Sequence, residues 1–336
     1  GPANVTRVLH STGESGTLLV KRERGGAVSE LQFLKEARLD GRVEWRVPMA
    51  EMTTLRVGGP ADAVVFAASE EDVRTVARLC REHGAPLAVV GRGSNLLVRD
   101  GGLRGVVLCL GKDFARIAVR GGEIFAQAGA ALGALALAAR DAGLVGLEFA
   151  AGIPGSVGGA VAMNAGAYGG EIAQVLRSAR VLQPDGEIVD MENADLAFGY
   201  RTSALQAPGQ ICLGARFVLQ RGDREEISGR MADLAARRRE KQPLQFPSAG
   251  SFFKRPEGYF AGRLIEEAGL KGAHVGGAQV SSLHAGFLIN TGGATAGDFL
   301  ALMERVQRAV YEREGVRLEP EVRILGQDGA EEVGRE

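Results

Sequence analysis

The chain has 336 residues, of which 45% are hydrophobic, and its formal net charge is -1. At about 150 residues per domain, this length predicts roughly two domains with ordinary cores. The balanced charge argues against general nucleic-acid binding and against adsorption to anionic membranes. Cys80, Cys109 and Cys212 are too few and too dispersed for a disulfide framework or a metal motif. We therefore expect no metal and a reducing, cytoplasmic location.

The first 45 residues are polar and show no clear hydrophobic period. We interpret residues 1–45 as an N-terminal extension that is helical only near 31–37. No apolar run here resembles a signal peptide. The longest uncharged stretch, 149–168, contains Pro154 and five glycines, so it predicts a glycine loop and no membrane insertion.

From about residue 55, short apolar segments alternate with amphipathic ones, which indicates strands and helices. Ser69 is a typical N-cap with Asp72 three residues on, and Gly84 ends that helix. An alanine-rich helix is predicted over 132–142. The strands predicted in this region are 63–67, 86–90, 96–98, 106–110 and 117–119.

The second half continues the mixed pattern. Turn residues Pro184-Asp185-Gly186 predict a hairpin of strands 179–183 and 187–191. The later predicted elements are strand 211–220, helix 225–241, helix 260–268, strand 286–290, helix 296–314 and strand 321–325. We place a domain boundary near residue 222. The predicted division is an extension (1–45), a first domain (46–222), a second domain (223–328) and a tail (329–336).

The first candidate motif is the loop Gly91-Arg92-Gly93-Ser94-Asn95, which follows an apolar strand. A strand that runs into a glycine turn lets backbone N–H groups approach a phosphate. The loop does not match the Rossmann fingerprint, because Leu96 replaces the third glycine and the chain continues as a strand. By itself, the loop is also typical of a plain tight turn.

The second candidate motif is the glycine-dense segment 151–169. Such density costs backbone entropy, which favours positive φ angles or close approach to a large ligand. Its uncharged lining suits a flat ring and a pyrophosphate bound by N–H groups. A close-packed crossover between strands is the alternative. The residues that we assign to cofactor binding in this segment are Gly152, Ile153, Pro154, Gly155, Ser156, Gly158, Gly159, Asn164, Ala165 and Gly166.

Together the two segments resemble the FAD-binding domain of the UDP-N-acetylenolpyruvoylglucosamine reductase family, known as MurB. The resemblance extends from residue 54 to residue 326. Further blocks occur in the family's order: Tyr200-Arg201-Thr202-Ser203, then Ala249-Gly250-Ser251-Phe252-Phe253-Lys254, then Leu318-Glu319-Pro320-Glu321-Val322-Arg323. No single block is specific, whereas the ordered set is.

The resemblance implies an α+β fold, in which an FAD-binding domain of the vanillyl-alcohol-oxidase (PCMH) class precedes a C-terminal α+β substrate-binding domain. It implies NADPH-dependent reduction of UDP-N-acetylglucosamine enolpyruvate to UDP-N-acetylmuramate, for peptidoglycan precursor synthesis. FAD and NADPH are the implied cofactors and the UDP-sugar is the partner; no oligomeric state is implied. No histidine stands where oxidases of this class attach flavin covalently, so we expect FAD to be held non-covalently.

The resemblance also assigns roles. Arg201 matches the family's active-site arginine, Ser251 its general acid and Glu321 its catalytic glutamate. A guanidinium can hold the substrate carboxylate in a bidentate fork and stabilise charge that develops beside it. A serine hydroxyl can protonate carbon only if it is aimed at a strongly basic centre.

Substrate contacts are implied for Lys241 and, more weakly, for Tyr200, Gln279 and Asn290. Arg255 departs from the asparagine that some members carry after Phe-Phe-Lys. No long insertion in the last third could supply a closing-loop tyrosine, so the chain resembles the shorter, second type of the family.

Three other functions stay open at this point. One is an FAD-dependent oxidase of the same fold, and another is a non-catalytic sugar-nucleotide binding protein. A Rossmann dehydrogenase ranks last because the fingerprint is missing.

Overall fold

The computed structural model describes residues 29–328. Its α-helices are α1 (Phe33–Glu36), α2 (Glu70–Glu82), α3 (Leu132–Asp141), α4 (Val157–Ala162), α5 (Arg224–Lys241), α6 (Ala261–Glu267) and α7 (Ala296–Glu314). Its strands are β1 (Arg42–Pro48), β2 (Pro60–Phe66), β3 (Leu87–Val90), β4 (Leu96–Val98), β5 (Leu103–Cys109), β6 (Ile117–Arg120), β7 (Glu123–Gln127), β8 (Leu144–Val145), β9 (Gly166–Ala167), β10 (Gly170–Glu171), β11 (Leu176–Leu182), β12 (Ile188–Glu192), β13 (Ile211–Val218), β14 (Gln220–Arg221), β15 (Ser248–Ser251), β16 (His274–Val275), β17 (Ala278–Val280), β18 (Phe287–Asn290) and β19 (Arg323–Leu325).

The first sheet has the strand order β1-β2-β5-β3. Strand β5 runs parallel to both β2 and β3, and β1 closes one edge in antiparallel pairing. Both faces of β2 are buried, because Val65 packs into one core cluster and Val64 into another. Burial on both sides explains why this strand is almost continuously apolar.

The second sheet is antiparallel, with the order β12-β11-β13-β7-β6. Helices α3 and α4 contribute Leu132, Leu135 and Val161 to the core cluster that also holds Val65 of the first sheet. The two sheets therefore share one hydrophobic core, which holds the loops between them in a fixed relation.

The third sheet, β15-β18-β17-β16, packs against α6 and α7 around a separate core. Helix α7 begins at a capping box of Thr295 and Asp298 and ends at Gly315, which has a left-handed φ of +68°. The chain then returns to the first part of the molecule, where β19 pairs in parallel with β4.

Most predicted elements are present, including the Ser69–Asp72 capping box and the hairpin of β11 and β12. Helix α1 lies within the helix predicted near 31–37, but the described part of the predicted extension is packed into the fold. Strand β1 begins at Arg42, and Leu31, Phe33 and Leu34 are buried in the main core. Residues 1–28 and the tail 329–336 lie outside the described residues.

Two further predictions need correction. The glycine segment is not a loop throughout, because α4 forms within it from Ser156, whose side chain accepts from the Gly159 N–H at 3.4 Å. Strand β19 begins at Arg323, so Glu321 lies before the strand and not within it. The strands that the sequence pattern did not predict are β1, β7, β15 and β17, besides the two-residue strands.

Asp72 anchors the segment before β1 to α2. Its buried carboxylate accepts hydrogen bonds from the backbone N–H groups of Asp40, Gly41 and Ala68 at 2.8 to 3.0 Å. Because Asp72→Ala leaves these donors unpaired, we expect the free energy of unfolding to fall by about 2 to 4 kcal/mol. Urea unfolding followed by circular dichroism measures the change. Glu71→Ala, at an exposed neighbouring site, is the control and should change it by less than about 0.5 kcal/mol. Equal effects of the two variants would contradict the anchoring role.

Candidate active site

Two of the predicted catalytic residues, Arg201 and Glu321, form an ion pair with 2.7 Å between Nε and Oε1. Arg201 lies at the tip of a turn that is closed by backbone hydrogen bonds between Gly199 and Thr202. Its φ of +55° is left-handed, which is uncommon for a residue with a long side chain. The side chains are 24% and 14% exposed, so the pair is shielded from most solvent without being sealed.

Asn164 holds the Arg201 turn in place. Its buried side chain donates through Nδ2 to the Gly199 carbonyl at 3.2 Å and accepts through Oδ1 from the Ala173 N–H at 3.0 Å. Both ends of the amide are engaged by protein, which gives this side chain a positioning role at the Arg201 turn, and cofactor contact by Asn164 stays a prediction. We expect Asn164 to act through Arg201.

Glu321 is placed by hydrogen bonds of its backbone. Its N–H donates to the Phe252 carbonyl at 2.9 Å, and its carbonyl accepts from Asn95 Nδ2 at 3.1 Å. Ser251 directly precedes Phe252 and is exposed at the end of β15. The structure thus brings Arg201 and Glu321 together, places Ser251 on the adjoining backbone, and connects Glu321 to the first glycine loop through Asn95.

Burial raises the pKa of the Glu321 carboxyl above the ordinary range of a glutamate. The positive charge of Arg201, its hydrogen bond and the charge of Lys254 act in the opposite direction and only partly offset the effect of burial. The carboxyl therefore stays within reach of protonation at higher pH than a solvated glutamate.

The two glycine segments meet face to face. A Cβ atom on Gly91 would lie 2.1 Å from Ser156 Oγ, and one on Gly155 would lie 3.3 Å from Ser94 Oγ. Within residues 29–328, the backbone N–H groups of 91–95 donate to no protein acceptor. A run of free N–H donors in a glycine turn suits phosphate oxygens. These residues fit the pyrophosphate of a dinucleotide.

Gly158 and Gly159 behave differently from the rest of the second segment. Both lie in α4, and the Gly158 N–H donates to the Ala128 carbonyl at 2.8 Å. A Cβ atom on Gly158 would lie 2.8 Å from that of Ala128. Close packing accounts for the glycine at 158, as in the crossover alternative. Cofactor contact stays a prediction for 152–156, 158–159 and 164–166.

Two of the predicted substrate residues lie where a ligand could reach them. Tyr200 is exposed, and its hydroxyl accepts from the Arg255 N–H at 3.1 Å beside the Arg201 turn. Lys241 is exposed and is the last residue of α5. Their roles as substrate contacts stay predictions.

Asn290 has a structural role. It is buried, donates through Nδ2 to the Leu55 carbonyl at 3.1 Å and accepts through Oδ1 from the Gly292 N–H at 2.9 Å. It joins the third sheet to the first part of the chain, and the predicted contact with substrate stays a prediction. Gln279 donates to the Gly272 carbonyl at 3.2 Å, within its own part of the third sheet, and contacts none of the catalytic candidates.

Sequence analysis missed two residues at the site, Arg238 and Tyr168. The Arg238 guanidinium lies against Gly152 and 5.7 Å from the centroid of the Tyr168 ring. The last turn of α5 carries several basic residues, and nothing in their spacing distinguishes the buried one.

Over residues 29–328, no group of three or more His, Cys, Asp or Glu side chains could hold a metal ion. None of the described helices combines the length and the apolarity needed to span a bilayer.

The two facing glycine segments, 91–95 and 152–156, form what we call the cradle. The fold and the cradle define a flavoprotein with an FAD-binding part and a C-terminal α+β part. Residues 61–192 match the family model of an FAD-binding domain. Residues 242–325 match that of the UDP-N-acetylenolpyruvoylglucosamine reductase C-terminal domain. The fold class that the sequence predicted is confirmed.

Relatives of known name and a solved structure point to the same family as the two family models. The chain is 51% identical over 280 residues to a UDP-N-acetylenolpyruvoylglucosamine reductase of Clostridium novyi, with 83% of this chain and 91% of that protein covered. It is 52% identical over 297 residues to one of Pediococcus pentosaceus, with 88% and 99% covered. A crystal structure of the Thermus caldophilus reductase, 41% identical, superposes with a TM-score of 0.74 over 85% of this chain and 100% of that one. The chain belongs to the UDP-N-acetylenolpyruvoylglucosamine reductase family.

Because the Gly91 backbone faces Ser156 closely, we expect Gly91→Ala to push the two glycine segments apart and to weaken FAD binding by at least about ten-fold. The dissociation constant for FAD, measured by flavin fluorescence on flavin-free protein, checks this. Gly229→Ala is the matched control, because a Cβ there meets nothing within 4 Å on α5. Unchanged FAD affinity in Gly91→Ala would show that the segments do not form the cradle.

Proposed function

We propose that this protein reduces the enol-ether double bond of UDP-N-acetylglucosamine enolpyruvate to give UDP-N-acetylmuramate, a peptidoglycan precursor, with NADPH as the reductant. The observation that carries the proposal is the Arg201–Glu321 ion pair, which Asn95 joins to the glycine cradle. Bound FAD supplies the hydride chemistry between NADPH and C3 of the substrate. The supply of NADPH and of a sugar nucleotide is the basis for proposing a cytoplasmic location.

The proposed role of Arg201 is to bind the substrate carboxylate. The Nε–H of the Arg201 guanidinium donates to Glu321, and Nη2 lies 3.4 Å from the Gly166 carbonyl. A carboxylate placed against the remaining N–H groups receives charge-assisted hydrogen bonds. Negative charge spreads onto that carboxylate when hydride adds to C3, so the same bonds strengthen in the transition state.

The proposed role of Ser251 is to deliver a proton from Oγ to C2 of the substrate. Addition of hydride to C3 and of this proton to C2 completes the reduction, and the serine regains its proton from solvent. Ser251 is exposed at the end of β15, so substrate and solvent can both reach it. Glu321 lies on the adjoining backbone and is proposed to orient the hydroxyl or a water molecule.

Tyr200 and Lys241 are proposed to contact the sugar nucleotide, Tyr200 beside Arg255 and Lys241 at the end of α5. We further propose that residues 46–222 hold the cofactor and that 223–328 hold most of the substrate contacts, with the site between them.

The direct test is spectroscopic. Purified protein should show the absorption of oxidised FAD, NADPH alone should bleach it under anaerobic conditions, and the enolpyruvyl substrate should restore it. Steady-state kinetics should then be ping-pong. Bound flavin with peroxide formation from an alcohol would favour the oxidase, and protein that binds no flavin would favour a silent binding protein.

Because only substrate reduction needs the proton from Ser251, Ser251→Ala should leave bleaching by NADPH unchanged and slow reoxidation by substrate by about 100-fold or more. Stopped-flow absorbance measures the two steps separately. Ser248→Ala, in the same strand, is the control and should leave both rates near wild type. Equal losses in both steps of Ser251→Ala would argue against the role.

The raised pKa of Glu321 sets the direction of the pH dependence. If ionised Glu321 is the active form, the rate of substrate reduction rises with pH through a pKa above the ordinary glutamate value of about 4.3. We expect Glu321→Gln to lose this rise on the acid side of the pH–rate profile and to react slowly at all pH values. Glu319→Gln, at an exposed site paired with Lys254, should keep the rise of the rate with pH. If Glu321→Gln also keeps this rise, the titrating group is not Glu321.

A further inference from the structure

Arg238 is a buried cation among exposed basic residues near the end of α5. It is 8% exposed, whereas its neighbours Arg237 and Arg239 on α5 are exposed. Basic residues in the last turn of a helix commonly complement the helix dipole, for about 0.3 to 1 kcal/mol at exposed sites. That gain does not account for burial, since an ion removed from water costs several kcal/mol unless it is paired.

No carboxylate among residues 29–328 lies within ion-pair distance of Arg238. Its one hydrogen bond to protein runs from Nη1 to the Gly152 carbonyl, and its nearest aromatic contact is Tyr168. Burial lowers the pKa of the guanidinium, which reflects the missing partner. By contrast, Arg230 on the same helix is paired with Glu148.

The guanidinium lies on the second glycine segment. A Cβ atom on Gly152 would lie 2.6 Å from Arg238 Cδ and 2.8 Å from Nε, so only glycine permits this approach. Among the described residues, Nε and Nη2 have no protein acceptor, yet neither is fully enclosed. Two N–H donors and a positive charge therefore stay available beside the cradle that 91–95 and 152–156 form.

We propose that Arg238 is the cationic partner of the FAD pyrophosphate. The inference rests on the proposed function, because it requires FAD in the cradle. The glycine segments supply N–H donors, and their one charged residue, Arg92, is exposed to solvent. A pyrophosphate placed among these donors is stabilised most by a shielded cation. Arg238 comes from α5, which lies beyond the proposed domain boundary in sequence but packs into the main core through Ile227 and Met231.

Arg238→Met removes the charge and keeps much of the side-chain volume. We expect it to weaken FAD binding by about thirty-fold, because a charge-assisted hydrogen bond is lost. Riboflavin, which lacks the pyrophosphate, should bind the variant and the wild type alike. A merely structural role would instead weaken both ligands together. Arg239→Met, at the exposed neighbouring arginine, is the matched control and should bind FAD normally.

Flavin-free protein provides a second readout. Arg238→Met removes an unpaired buried charge, so its melting temperature without flavin should equal or exceed that of wild type. Its stabilisation by added FAD should be smaller than in wild type. Arg238→Lys keeps a charge without the planar fork and should bind FAD with intermediate affinity. A lower melting temperature without flavin, with unchanged FAD affinity, would overturn the proposal.

A third measurement distinguishes the two diphosphates that the enzyme would meet. If Arg238 served the sugar nucleotide, Arg238→Met would retain FAD and raise the dissociation constant of UDP, measured by calorimetry on flavin-loaded protein, and our assignment would be wrong. Failure of the proposed function would be recognised separately, because the wild-type protein itself would then bind no FAD.

Discussion

The site depends on the return of the chain to its first part, where β19 pairs with β4 and the Glu321 carbonyl accepts from Asn95. Residues more than 200 positions apart in sequence are joined by these bonds. Asp100 supports the same junction by accepting from the Ala296 and Gly297 N–H groups at the start of α7. The junction fixes the distance between the cofactor loop and the Arg201–Glu321 pair, and without it the catalytic candidates would belong to two separate bodies.

The cradle and the Arg201–Glu321 ion pair differ in the charge that they offer a ligand. The glycine segments bring backbone very close to a ligand, but their one charged residue, Arg92, is exposed, whereas Arg238 on another element is placed to be a shielded cation for an anionic ligand. At the other end of the site, Arg201 already has an anionic partner in Glu321. A substrate carboxylate must share that guanidinium, and burial raises the pKa of Glu321, so its charged form is less favoured than that of a solvated glutamate.

Much of the fold could be predicted because local signals and packing agree. Helix α7 has a capping box, an apolar stripe and a glycine stop, and it was predicted to the residue. Strand β1 was missed because it is an edge strand that carries three charged residues and buries only Val47. Helix α4 was missed because glycines disfavour helices, and tertiary contact with Ala128 overrides that preference. For the site, the ordered motifs pointed to Arg201, Ser251 and Glu321, while the burial of Asn290 and Arg238 depends on contacts with distant residues that no local pattern encodes.

The backbone at Arg201 illustrates how the fold tolerates an unfavourable local conformation where the site requires it. A left-handed φ costs a non-glycine residue on the order of 1 kcal/mol, and glycine in its place would remove the guanidinium. The turn is held from both sides, by Asn164 bound to the Gly199 carbonyl and by Ser203, whose hydroxyl donates to the Ala162 carbonyl at 2.9 Å. Both anchors lead back to α4 and its flanking residues. The segment that approaches the cofactor therefore also fixes the residue proposed to bind the substrate carboxylate, so that a displacement of the cradle would move Arg201 as well.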